Sequence, residues 1–190
     1  MSLNPQIRPI HPRIILDMDG VCVDFVSGVE KLYGKIDFPK GTYNIPKLLK
    51  VEEKTFWYRI ENTPNFWLDL DPYDWMWDLY KLCREHVAPD GDVVFASAPT
   101  LDPECTEQKI RWLHKYFGRD FRHYVITPQK HLMATSQTIL IDDSEQNCLN
   151  FEAFGGRSIL FSQPWNDKSW SPDQTKLWHV NHILSYWSPR

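Results

Sequence analysis

No apolar stretch in this 190-residue chain approaches the roughly 20 residues a membrane span requires, so a transmembrane helix is excluded from the readings of the sequence. The start of the chain has neither the basic nor the apolar portion of a signal peptide, which makes a compact, soluble protein in the cytoplasm the expectation. Met1-Ser2-Leu3 is left out of the fold argument. Cysteine is scarce: Cys22, Cys83, Cys105 and Cys148 are far apart and form no C-x-x-C pair. That spacing indicates neither a zinc site nor a disulfide framework and leaves reduced, buried thiols. Charge of one sign is also missing. The net charge is -4 and the basic residues are scattered, so no broad electrostatic footprint for duplex nucleic acid is present. An anionic substrate would have to be held locally. Internal repeats, low-complexity tracts and long linkers are absent as well.

What the chain has is a core and an excess of rings. Its length suits one domain with a small insertion, and 42% hydrophobic content is enough to pack it. Aromatics reach 14%, with nine Trp. They concentrate in Phe56-Trp57-Tyr58, Phe66-Trp67 and Trp75-Met76-Trp77, and recur at Trp165, Trp170, Trp178 and Trp187. Most are expected to pack, since large rings dominate cores, and a few to line a pocket.

The order of elements points to an α/β fold. Ile14-Ile15-Leu16 reads as a strand buried on both faces, ending in Asp17-Met18-Asp19-Gly20-Val21. Asp24 to Tyr33 reads as a helix closed by Gly34. From there to Asp71 the chain differs from the rest, with Pro39, Pro46 and Pro64 breaking short helical pieces rich in Lys and aromatics. Beyond Asp71-Pro72 an amphipathic helix runs through Tyr80, Leu82 and Cys83, followed by a buried strand at Asp92 to Ala96. Asp102 can cap a helix that has Pro103 in its first turn and runs to Gly118. Strands are predicted at His123 to Ile126, Thr138 to Ile141 and Ser158 to Phe161, and helices from Ser144 and over Asp173 to Ser185. The alternation predicts a Rossmann-like, doubly wound, mostly parallel sheet. The whole chain, 1–190, is expected to be one domain, with its core at about 12–33 and 72–190 and a small helical cap at about 34–71.

Polar residues follow the predicted strands at the same end: Asp17 and Asp19, then Ser97, then Thr127 and Lys130, then Asp142-Asp143. In a parallel sheet those ends share one edge, so residues more than a hundred apart can converge. Singly, each has a plain alternative: Ser97 begins a turn, Lys130 is a solvated charge, Asp142-Asp143 caps a helix. Together they form a site. Asp17, Asp142 and Asp143 at one edge would repel unless a cation sits among them, which implies a divalent metal. Oxygen ligands without His or Cys favour magnesium over zinc. Lys130 adds the positive charge needed to admit a phosphate dianion. Ser97 and the loop amides around Met18 to Gly20 and at Ala98 are candidate donors to its oxygens.

DMDGV at Asp17 to Val21, Ser97 after its strand, Lys130, and LIDD at Leu140 to Asp143 resemble, in order, the four motifs of the haloacid dehalogenase superfamily. Within it the chain is similar to the 5'(3')-deoxyribonucleotidase family across most of its length. The closer match lies in DMDGVCVDF at Asp17 to Phe25, in Trp112 to Phe121 and in Thr138 to Asp143. The resemblance implies a magnesium-dependent phosphomonoesterase acting on (deoxy)ribonucleoside monophosphates through an aspartyl-phosphate. It implies Asp17 as nucleophile and Asp19 as general acid and then base. It also implies a metal held by Asp17, the Asp19 main-chain carbonyl and Asp142, supported by Asp143. Ser97 and Lys130, with Gly20 and Ala98 through their amides, would bind phosphate. The partner is then a small-molecule nucleotide, with no duplex nucleic acid and no membrane. The oligomeric state stays open, with a homodimer as the candidate assembly.

Two departures from the mammalian members bear on affinity and base preference rather than on catalysis: Ser97-Ala98-Pro99 stands where they carry Thr-Ser-Pro, and Pro128 where they carry Arg. In the family a cap closes over the phosphate and aromatics hold the base. Phe25, one turn past the DMDG loop, is the stronger base contact to carry over. Tyr43 either holds the base or packs the cap, and both readings stay open. Phe56, Trp57, Phe66 and Trp67 are expected in the cap core. Other classes are a phosphatase for another small ester, a catalytically silent nucleotide-binding protein, and a phospho-signalling receiver domain. Receivers carry their paired acids on the first strand, whereas here Asp142-Asp143 come last.

Overall fold

The computed structural model describes residues 12–39, 41–87, 91–166 and 173–187, so Trp170 and the first residues lie outside it. Among the described residues five strands, all parallel, lie in the order β3-β2-β1-β4-β5: β1 Arg13–Asp17, β2 Val93–Ser97, β3 Tyr124–Ile126, β4 Thr138–Asp142 and β5 Arg157–Leu160. β1 is central because it can afford no wet face: Ile14, Ile15 and Leu16 are at most 3% exposed. The chain runs β1-β2-β3 to one edge, then crosses back to start β4 against the other side of β1. That reversal opens a crevice at the carboxyl ends of β1 and β4, where open α/β sheets bind ligands.

Helices join the strands, and their ends follow local chemistry. α1, Phe25–Tyr33, starts at Asp24, whose carboxylate accepts from the Ser27 amide at 2.9 Å and from the Ser27 hydroxyl at 2.6 Å. α2 is Ile45–Leu48, α3 Glu53–Glu61 and α4 Met76–His86. α5, Pro103–Phe117, is capped by Asp102, which accepts from the Glu104 amide at 3.0 Å. α6 is Glu145–Ala153 and α7 Asp173–Trp187. Lys130–Met133 forms a 3₁₀ turn ahead of β4.

Both sheet faces are covered, unequally. Ile14, Leu16, Val93, Phe95, Ile139 and Ile141 enter the larger core, which also takes Trp112 of α5 and Val180 and Leu184 of α7. Ile15, Ala96 and Leu140 point the other way and meet Phe151 of α6. Among the described residues the segment between α1 and α4 has no separate core: Phe56, Ile60, Phe66 and Leu70 belong to the same cluster as the strands. Gly28 makes that union possible, since a Cβ there would lie 2.2 Å from Leu70 Cδ2. Several indoles act as pins as well as filler. Trp112 Nε1 donates to the Leu70 carbonyl at 2.8 Å and Trp75 Nε1 to the Val21 carbonyl at 2.9 Å. Trp178 does not pack inward; it is 62% exposed and stacks on His182.

Candidate active site

Beyond β1 the chain coils so that the amides of Val21, Cys22 and Val23 all return to the Met18 carbonyl, at 3.3, 2.8 and 2.7 Å. The coil holds Asp17 and Asp19 at the mouth of the crevice. It closes around Gly20, whose φ of 83° suits glycine and where a Cβ would lie 2.3 Å from Asp143 Oδ2. The Gly20 N–H, expected to donate to phosphate, donates instead to the Val23 carbonyl at 3.0 Å. Gly20 serves by leaving room for Asp143. Gln163 Nε2 donates to the Gly20 carbonyl and pins the coil from the far side.

The strand ends bring Asp17, Asp142, Asp143 and Lys130 together, all buried. Lys130 Nζ lies 2.6 Å from Asp17 Oδ1 and 2.7 Å from Asp142 Oδ2. Burial works to depress that ammonium, and the two carboxylates overcome it, holding the Lys130 pKa above its usual value. Asp142 also accepts from the Ser144 amide at 2.9 Å and from Asn147 Nδ2 at 3.1 Å, so the first turn of α6 completes its environment. Asp143 accepts from Trp165 Nε1 at 2.6 Å.

One cation does not neutralise three buried acids. Burial, then the neighbouring Asp142, push Asp17 well above the ordinary carboxylate range, and the same two causes push Asp143 up to about 7. Ligand oxygens of Asp17, Asp142 and Asp143 lie within 4.8 Å of one another. An all-oxygen set with excess negative charge fits a hard divalent cation such as magnesium.

Asp19 stands beside this cluster in a second one. Its Oδ2 accepts from Ser97 Oγ at 3.1 Å and is paired with Lys109 Nζ, which also donates to Ser97 Oγ at 2.7 Å. Ser97, at the end of β2, is fully buried and oriented on Asp19. Lys109 was not found by sequence reasoning. It is 2% exposed, and its ammonium also sits 4.4 Å from the centre of the Trp67 ring. A signal existed: Lys109 lies on the face of α5 that buries Cys105, Trp112 and Leu113, where a lone lysine has to meet an acid. Trp165 and Asn147 were likewise missed, and nothing in their spacing announced them.

Asp19, Tyr43 and Ala98 line two adjoining cavities. The one over the strand ends, about 390 Å³, also meets Asp17, Lys130 and Asp143. The other, about 520 Å³, extends under the segment between α1 and α4 and is walled by Phe25, Trp57 and Trp67. Phe25 is only 5% exposed and stacks on Trp67, centroids 5.3 Å apart, so it offers an edge of wall rather than a free face. Phe56 and Phe66 are buried in the core. Trp57 and Trp67 are not core alone; both reach the cavity, Trp57 while only half-buried. Tyr43 is 51% exposed and leans on Trp165, centroids 5.5 Å apart. Thr127 is outside the site and shapes its own loop, accepting from the Gln129 amide at 3.0 Å.

Residues 8–183 match the family described as 5' nucleotidase, deoxy (pyrimidine), cytosolic type C protein. The human cytosolic-type 5'(3')-deoxyribonucleotidase is 24% identical over 164 residues, 79% of each chain. The human mitochondrial 5'(3')-deoxyribonucleotidase is 24% identical over 148 residues, 69% of this chain and 61% of its own. Among solved structures, a haloacid dehalogenase-like family hydrolase from Xanthomonas campestris superposes with a TM-score of 0.54 at 13% identity, covering 96% of this chain and 95% of that one.

Proposed function

Because the chain belongs to the cytosolic type C 5' nucleotidase family and has the haloacid dehalogenase-like fold, we propose that it is a magnesium-dependent phosphatase of (deoxy)ribonucleoside monophosphates. The observation that carries this reading is the pairing of two acids with separate surroundings at one crevice. Asp17 lies among acids and Lys130, and Asp19 is held apart by Ser97 and Lys109.

In this reading an Asp17 carboxylate oxygen forms a bond to phosphorus while the bond from phosphorus to the ribose oxygen breaks. Asp19, in its protonated form, gives that proton to the departing oxygen. Water then attacks the aspartyl-phosphate, losing a proton to Asp19, and inorganic phosphate leaves Asp17 as it began. Lys130 faces the phosphoryl oxygens with a charge that its two carboxylate neighbours keep protonated. Asp17, the Asp19 carbonyl and Asp142 would hold the metal, with Asp143 beside them; when bound it neutralises charge on the phosphoryl group. Ser97 and Lys109 fix the Asp19 carboxylate at the edge shared by the two cavities. The larger cavity would take the nucleoside, its base against Trp57 and Tyr43.

The test is phosphate release from a panel of nucleoside monophosphates and sugar phosphates, with and without magnesium. Nucleoside monophosphates should lead, and only with metal. A panel led by sugar phosphates would assign the site to another small ester, and no release from any ester would leave a binding protein.

A further inference from the structure

Glu53, Trp57 and Glu61 are spaced four apart along α3, on one face of the helix, and all three line the larger cavity. No Lys, Arg or His among the described residues lines it with them. Nor do the Glu53 and Glu61 carboxylates make a hydrogen bond or ion pair among the described residues, in contrast to Asp19 at the other end of the same space, which Lys109 neutralises. The wall that would face the base thus combines an indole with two unopposed acceptors. We propose that Glu53 and Glu61 select bases carrying an exocyclic amine, cytosine and adenine, over bases that present a carbonyl at the same position. This rests on the nucleotidase reading above and adds to it the class of base.

An ionised carboxylate only accepts hydrogen bonds. Opposite the cytosine 4-amino or adenine 6-amino group it receives an N–H. Opposite the uracil or thymine 4-carbonyl it meets a second acceptor with no proton between them, and both lose water without compensation. A carboxylate reading the cytosine amine is an established form of base discrimination. The same two charges would repel a second phosphate placed at that end of the substrate, which favours monophosphates.

The experiment compares kcat/KM within two pairs that differ only at that position, dCMP against dUMP and dAMP against dIMP, in the parent protein and in E53Q, E61Q and the double variant. The parent should prefer the amine in each pair by about tenfold or more. The double variant, whose amides donate as well as accept, should bring the ratios to within about twofold. Equal rates within both pairs in the parent, or a preference that survives both substitutions, would overturn the inference and leave the nucleotidase reading in place. The parent comparison needs no variant, so it decides even where a substitution harms folding. Turnover of p-nitrophenyl phosphate without turnover of any nucleotide would instead overturn the nucleotidase reading, and the inference with it.

Discussion

At the strand ends every carboxylate has a partner, Asp17 and Asp142 in Lys130, Asp19 in Lys109 and Asp143 in Trp165, whereas across the cleft Glu53 and Glu61 have none among the described residues. The first region is nearly dry and built on a sheet; the second is half wet and built on one short helix. The contrast separates chemistry from choice. Groups that must hold still to react are fixed by burial and charge pairing, and groups that read a substrate are left with capacity to spare.

The comparison breaks first at Asp17. Asp17→Asn keeps the shape of the buried cluster but removes the nucleophile, so phosphate release should fall by at least about 10⁴-fold with an unchanged circular-dichroism spectrum. Turnover near the parent rate would take the chemistry away from the strand end. Next in size is Lys109→Met, which takes from Asp19 and Ser97 the cation they share. A loss of about 100-fold in kcat is expected, with Lys109→Arg recovering part of it. An unaffected kcat would show that Ser97 alone suffices to place Asp19.

Acid and metal sharpen the same contrast. Asp143 is held up to about 7 and Asp17 is also raised, so the folded protein binds protons that the unfolded chain releases nearer 3.8. Stability from this source is present below 3.8 and is lost as pH rises through about 7. Between about pH 5 and about pH 8 the metal-free protein should lose roughly 2 kcal/mol, several degrees in melting temperature. Magnesium should restore it most at the upper end, by binding the ionised cluster. A flat profile, or a magnesium effect that is largest in acid, would remove the metal from these carboxylates. The smallest effect belongs to the other region. Trp57→Ala should raise KM for nucleotides by about fivefold with kcat nearly kept, because a half-buried ring contributes one stacking face. A fall in kcat of the same size would place Trp57 with the reacting groups.

Much of the sheet was legible because its signals are local. Ile14 to Leu16 and Ile139 to Ile141 are too apolar for an exposed strand, and Asp24, Asp102 and Ser144 mark helix starts that the structure keeps. Parallel pairing then places Asp17, Ser97 and Asp142 on one edge with no further information. Lys109 and Trp165 were not legible, since each reaches the site from an element whose orientation depends on what packs beneath it. The aromatic run at Phe56-Trp57 shows the limit most clearly. Adjacent rings part company, Phe56 into the core and Trp57 to the cavity, by the way α3 is turned.

By itself, then, the sequence determined the alternating elements, the parallel sheet and the acids at its edge, because buried strands and helix caps are written in neighbouring residues. Tertiary structure decided which lysine serves which acid, that the Gly20 amide is spent inside its own coil, and that Glu53 and Glu61 face the same space as Asp19. Those are distances between residues far apart in the chain, and they come into being only when one core is packed.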